Sequence, residues 1–210
     1  QGFQVVVNGP RDEIALSNVV GSLSALPFDL VQEHAVREAM EEIREHFGKV
    51  DVLVNNQFLW DDAALAKTTD LMWSEVHDTN LKSVFYCTKA FAPGMDENGF
   101  GKIINVTSFS GVTGAHMAYA AACAGVLSLT RSLALELAPK VRVNAIAYGT
   151  MDEAWIDAEG PDFRKSLEKR VPLRRLCRPE DVADLVAYLA LSGDFLTGQV
   201  IVLDGGESTS

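Results

Sequence analysis

The sequence predicts an α/β fold with a parallel sheet. Short β-branched runs recur along the chain, they alternate with helical patterns of about ten residues or more, and the runs in the middle are continuously apolar. Continuous apolar character belongs to strands covered on both faces, as in parallel sheets. The 210 residues amount to about 1.4 times a typical ~150-residue domain, so residues 1–210 are expected to form a single domain.

FQVVVNG (Phe3 to Gly9) is a β-branched run that ends in a turn signal, and SLSALPFDL, from Ser22, reads as a second strand ending at Asp29. The connection between them is short and weakly helical. From Val31 to Phe47, the residues Ala35, Val36, Ala39, Met40 and Ile43 recur at helical spacing among charges, which marks an amphipathic surface helix. VDVLVNN (Val50 to Asn56) reads as a buried parallel strand. A long helical region runs from about Thr69 to Phe91, followed by the strand GKIINVTS (Gly101 to Ser108) and an Ala- and Leu-rich helix from Met117 to Leu137. VRVNAIAYG (Val141 to Gly149) is a further strand, and PDFRKSLEKRVP has a helical, mobile character. Pro179, Glu180 and Asp181 open a helix through Leu191, with acids where the helix dipole favours them. QVIVLDGG (Gln199 to Gly206) closes the pattern as a strand.

The chain carries 18 basic and 29 acidic residues, a net charge of −11. That sign repels phosphate backbones and anionic lipid, so neither nucleic acid nor a membrane is expected as a partner. No apolar run approaches the ~18 residues of a membrane span, and no basic-then-apolar leader is expected. Cys87, Cys123 and Cys177 are scattered, which suits a reducing, cytoplasmic setting, and no grouping has metal-ligand spacing.

Several strings together resemble the short-chain dehydrogenase/reductase family: VDVLVNN, Asn80-Leu81-Lys82, INVTS ending at Ser108, Tyr119 at the start of a small-residue helix, RVNAIAYG, and RRLCRPEDVADLVAYLAL with LTGQVIVLDGG. The similarity runs from Gln1 to about Gly206. It implies a Rossmann-type doubly wound parallel sheet, a nicotinamide cofactor (NADP or NAD), hydride transfer to or from a carbonyl or alcohol of a small molecule, and assembly into homo-tetramers or dimers through the long helices and last strand. On that pattern Tyr119 exchanges a proton with the substrate oxygen, Ser108 polarises that oxygen, and Asn80 anchors a water of the proton relay. Asn8, Arg11, Asp29, Leu30, Asn55, Val106 and Gly149 fall at cofactor positions, with Asn8 and Arg11 placed to select a ribose 2′-phosphate.

The departures from the family gather at the cofactor. The lysine expected one helical turn after the tyrosine is Cys123. A unit charge about 4 Å from a phenol is worth ~4 kcal/mol at an effective dielectric near 20, or about 3 pKa units, which a thiol does not supply. Tyr119 is therefore expected near the ordinary phenol value of about 10, a poor base at neutral pH. Lys82 and Arg131 are the cations considered as substitutes. Gln57, Phe58, Leu59 and Trp60 follow the VLVNN strand where the family has Ala-Gly, Tyr148 precedes Gly149 in place of Pro, and Glu153 stands for a threonine. Ser108 and Tyr119, 11 residues apart, are closer than the family spacing.

No G-x-x-x-G-x-G turn is present. Either FQVVVNG is the family's second strand and the first βα unit is missing, the preferred alignment, or NGPRDEIA (Asn8 to Ala15) is a decayed glycine turn and the second βα unit is deleted. Both leave the chain about 30 residues, one βα unit, short of the family, which makes Gln1 a doubtful true beginning. The first alignment removes a central strand and predicts two unpaired sheet edges, with ~1–3 kcal/mol for each unsatisfied backbone group.

Individual residues keep two readings. Cys123 is a small packing residue or a reactive thiol. His116 is an exposed loop histidine or a substitute base. Phe58, Leu59 and Trp60 form an apolar substrate wall or plug the cofactor groove. The whole reads as an NAD(P)-dependent short-chain oxidoreductase. The alternative is the same scaffold without hydride transfer, a non-catalytic subunit or a cofactor-independent lyase resembling the halohydrin dehalogenases.

Overall fold

A computed structural model describes residues 4–8 and 22–209. The strands are β1 (Gln4–Val7), β2 (Ser22–Ala25), β3 (Val52–Asn55), β4 (Gly101–Ser108), β5 (Val141–Tyr148) and β6 (Val200–Leu203). The helices are α1 (Glu33–Phe47), α2 (Asp70–His77), α3 (Ser83–Glu97), α4 (Ser110–Thr113), α5 (Met117–Leu137), α6 (Ala154–Ala158), α7 (Pro161–Arg170) and α8 (Pro179–Leu191).

All pairings are parallel, in the order β3-β4-β5-β6 for a four-stranded sheet, while β1 and β2 pair with each other in a separate two-stranded sheet. Successive β4 residues serve opposite faces, as the strand period requires. Ile103 packs with Ala92 and Met95 of α3 and Ala134 of α5, whereas Ile104 and Val106 pack with Val182 and Leu189 of α8. Helices thus cover both sides of β4 and β5, which explains why all eight β4 residues are buried.

The parallel α/β fold is as the sequence predicts, but the single doubly wound sheet is divided. Among the described residues no strand pairs with the outer edge of β3 or joins it to β1. This agrees with the alignment in which β1 and β2 correspond to the family's second and third strands, since deletion of the second unit would set β1 beside β3. It also corrects the expectation that β3 is covered throughout: Val54 is 41% exposed. Gln1, Arg11 and the NGPRDEIA turn beyond Asn8 lie outside the described residues.

Other boundaries shift for local reasons. β2 stops at Ala25, not Asp29, because Pro27 has no N–H for a ladder, although the Leu26 N–H still reaches the Val7 carbonyl at 3.0 Å. The predicted helix from Thr69 to Phe91 is two α-helices joined by a π-turn at Asp78–Lys82 that carries Asn80, and it runs on to Glu97. By length and composition α5 could cross a bilayer, contrary to the reading of apolar runs. It is instead the core helix against β4 and β5.

A buried polar chain fixes α5 to the strands. Asn55 Nδ2 donates to Asn105 Oδ1 at 2.8 Å, Asn105 Nδ2 to Thr130 Oγ1 at 2.9 Å, and the Thr130 hydroxyl to the Val126 carbonyl at 2.8 Å. Replacing Asn105 by Ala leaves the buried Asn55 amide unpaired and is expected to cost about 1–3 kcal/mol in urea unfolding. At the other face, Asp181 accepts the Arg178 N–H at 2.8 Å and the Arg175 guanidinium at 2.5 and 2.8 Å, capping α8. These bonds hold the Asp181 carboxyl down at about 2. Its contribution to stability is therefore full above the unfolded carboxyl value near 4 and is lost as pH falls toward 2. The melting-temperature difference between wild type and Asp181→Asn should accordingly shrink over that interval.

Candidate active site

The carboxyl ends of β4 and β5 and the first turn of α5 converge, because α5 is the crossover between those strands. β4 ends in Ser108, its register partner on β5 is Tyr148, and Tyr119 stands two residues into α5. The Tyr119 phenol lies close enough to Ser108 and Tyr148 for both to act on its ionisation. Ser108 is buried, with its Oγ 3.1 Å from Ser110 Oγ and accepting the Ser110 N–H at 3.1 Å. The shortened Ser108-to-Tyr119 spacing therefore still brings the two hydroxyls together.

Tyr119 is only 2% exposed. Trp60 meets its ring edge-on at a centroid distance of 4.9 Å, and the ring of exposed His116 lies 4.3 Å from Trp60. His116 holds that place with a left-handed backbone, φ 64°, which is costly for a non-glycine residue. Asn80 sets the loop that carries Trp60. Its Oδ1 accepts the Leu59 N–H at 2.8 Å, and its Nδ2 donates to the Leu59 and Val76 carbonyls, both at 2.9 Å. Both amide hydrogens are thus committed, and one carbonyl lone pair remains for a water.

Cys123 faces the site one turn after Tyr119, 2% exposed among Val76, Ala118 and Ala122. Lys82 does not stand in for a cation there, being paired with Asp78 at 2.5 Å and lying beside the Tyr86 ring. The expectation of an ordinary phenol at Tyr119 is corrected. Burial, then the neighbouring Tyr148 and Cys123, push Tyr119 well above the usual phenol range, and Ser108 offsets this only in part. Burial likewise raises Tyr148, with neighbouring Tyr119 opposing and Cys123, Glu153 and Cys177 adding to it.

The remaining sequence-derived residues are spread around this centre. Asn55 ends β3 within the Asn105 network, and Val106 packs in the α8-facing core. A Cβ on Gly149 would lie 2.8 Å from the Asp204 Cα, so the backbone here tolerates no side chain. On the small sheet, Asn8 Nδ2 donates to the Leu26 and Phe28 carbonyls at 3.3 and 2.9 Å, Asp29 Oδ1 accepts the Val31 N–H at 2.9 Å, and Leu30 sits half-buried in that turn. Two contributors escaped sequence reasoning. Tyr148 is signalled only by an aromatic residue where the family has Pro. Glu207 is a buried carboxylate that accepts the Thr150 N–H and hydroxyl at 3.0 and 2.9 Å and pairs with Arg170, and no sequence pattern marks it.

A parallel α/β scaffold with a serine–tyrosine hydroxyl pair at the carboxyl ends of its strands defines a Rossmann-type oxidoreductase class. The comparisons agree. Residues 1–208 match the family model described as enoyl-(acyl carrier protein) reductase. The chain is 34% identical to a 3-oxoacyl-[acyl-carrier-protein] reductase of Staphylococcus epidermidis over 98% of this chain and 89% of that protein. It is 38% identical to nodulation protein G of Azospirillum brasilense over 85% and 74%. Among solved structures, a candidate gluconate dehydrogenase from Agrobacterium tumefaciens superposes with a TM-score of 0.90 at 28% identity, covering 99% of this chain and 87% of that one. A short-chain dehydrogenase/reductase from Burkholderia xenovorans gives 0.88 at 25% identity, covering 100% and 89%. The chain belongs to the short-chain dehydrogenase/reductase family.

The thiols offer a direct check on the packing of the site. Cys87 and Cys123 are buried and Cys177 is half-buried, with burial pushing Cys87 up to about 12 and Cys177 up to about 11. Reaction of the native chain with a disulfide reagent at pH 8 should give one slow equivalent, from Cys177, that quickens as pH rises. Unfolding should release all three.

Proposed function

We propose that this chain is an NAD(P)H-dependent reductase of a small-molecule carbonyl. The observation that carries the reading is the Ser108–Tyr119 pair, two neutral hydroxyls near each other at the strand ends, with no cation among the described residues acting on Tyr119. A neutral phenol donates a hydrogen bond and a proton, which is what a carbonyl oxygen requires as it is reduced. Ser108 and Tyr119 would hold that oxygen. The family's reductases, among them the 3-oxoacyl relative, favour a carbonyl substrate.

The Ser108 and Tyr119 hydroxyls would face a nicotinamide, whereas Asn8, Asp29 and Gly149 make internal contacts, Asn8 with the Leu26 and Phe28 carbonyls, Asp29 with the Val31 N–H and Gly149 against Asp204. When bound, the cofactor supplies the hydride. Trp60 must turn aside for any ring to reach Tyr119, since it lies edge-on against that side chain. With Cys123 in the lysine position, the ribose lacks its cationic partner, so affinity should be weaker than in family members that keep the lysine.

The chain further reads as a cytoplasmic homo-oligomer, with exposed apolar residues on the surfaces the resemblance assigns to assembly: Phe85 and Leu135 on α3 and α5, and Val202 on β6.

Fluorescence titration with NADPH and NADH, followed by turnover of a 3-oxoacyl thioester, tests the reading. Saturable binding with reduction is expected, Tyr119→Phe should lower kcat by about 10²–10⁴-fold, and Cys123→Lys should tighten cofactor binding. Absence of binding at millimolar cofactor would overturn the proposal in favour of a scaffold without hydride transfer.

A further inference from the structure

The ring that covers Tyr119 shows what kind of ring fits there. Trp60 lies edge-on against Tyr119, with 4.9 Å between centroids and 62° between planes, and tilted against His116 at 4.3 Å and 55°. Aromatic quadrupoles favour such edge and tilted arrangements, each worth a factor of about two to ten in affinity. Trp60 is nevertheless 48% exposed, whereas Tyr119 beside it is 2% exposed. The indole is therefore a cover with a side open to solvent, not a core residue. Its backbone is held in place, because Asn80 grips the neighbouring Leu59 N–H at 2.8 Å and carbonyl at 2.9 Å. His116 is fixed at the entry to α5, where its carbonyl accepts the Ala120 N–H at 2.7 Å. Opening is then a rotation of the Trp60 side chain, which uncovers Tyr119 while both backbones stay.

We propose that Trp60 is a built-in competitor for an aromatic slot bounded by Tyr119 and His116, and that the substrate which displaces it carries its carbonyl on a planar aromatic ring. The inference rests on the carbonyl-reductase reading and names the substrate class. Turning Trp60 aside forfeits its contacts with Tyr119 and His116, and this cost weakens every ligand by the same factor. An aryl group that enters in place of the indole remakes those contacts, with its carbonyl oxygen toward the Ser108 and Tyr119 hydroxyls. A saturated ring or an acyl chain leaves both unmade. Buried apolar area does not produce this preference, since a saturated ring of the same skeleton buries no less of it.

Calorimetric titration of the full chain, with oxidised cofactor present, by 2-acetylnaphthalene and by its decahydro analogue tests the proposal. The naphthyl ketone should bind about tenfold more tightly. Trp60→Leu removes the competitor, so both ketones should bind about tenfold more tightly than to the wild type, with the preference kept. His116→Asn removes a ring and suits the left-handed backbone. It weakens the closed cover and the aryl complex alike, so the naphthyl ketone should bind as before and the decahydro ketone about two- to tenfold more tightly. In the unsubstituted chain labelled with fluorotryptophan, the resonance that Trp60→Leu deletes should shift when the naphthyl ketone saturates the site. No binding of the naphthyl ketone, equal or tighter binding of the decahydro ketone, weaker binding to Trp60→Leu, or an unmoved Trp60 resonance would overturn the proposal. Failure of the reductase reading is separate: neither ketone is then reduced with NADPH, while the binding differences and the Trp60 shift remain.

Discussion

A buried phenol with no cation beside it among the described residues is the constraint on which the site depends. Tyr119 sits at 2% exposure between Trp60, Cys123 and Tyr148, and burial in low dielectric penalises its charged form. A lysine one turn away would reverse that penalty. Cys123 adds to it instead. The neutral pair can offer an oxygen two hydroxyl hydrogen bonds, and the fold, which the family shares across many activities, does not by itself select the reaction.

What keeps Tyr119 buried is a chain of local commitments. The π-turn presents Asn80 to the backbone of Leu59, Leu59 sets the loop, and the loop lays Trp60 against Tyr119 and His116. On the other side, the Asn55–Asn105–Thr130 chain locks α5 to β3 and β4, so the phenol cannot drift from Ser108 without breaking buried hydrogen bonds. The residues between the strands and the helix are therefore as much a part of the site as the hydroxyls.

Much of this was legible in the sequence, and the reasons differ by residue. β4, α5 and α8 match their expected bounds because strand and helix periods, Pro179 and the acids after it are local signals. Ser108, Tyr119 and the exceptional Cys123 stand out because their spacing along one strand and one helix fixes their geometry. The place of Tyr148 beside Ser108 was not legible, since it depends on the β4–β5 register, a property of two strands 40 residues apart. Glu207 was hidden for the same reason, reaching Thr150 across 57 positions. Among the described residues no strand pairs with the outer edge of β3, and Val54 is exposed there.

The pH dependence of carbonyl reduction tests the central claim most directly. If Tyr119 is a buried neutral donor, the rate should keep its plateau to about pH 10, with no alkaline limb from this group. A limb falling near neutrality, the mark of a phenol lowered by a neighbouring cation, would contradict the account.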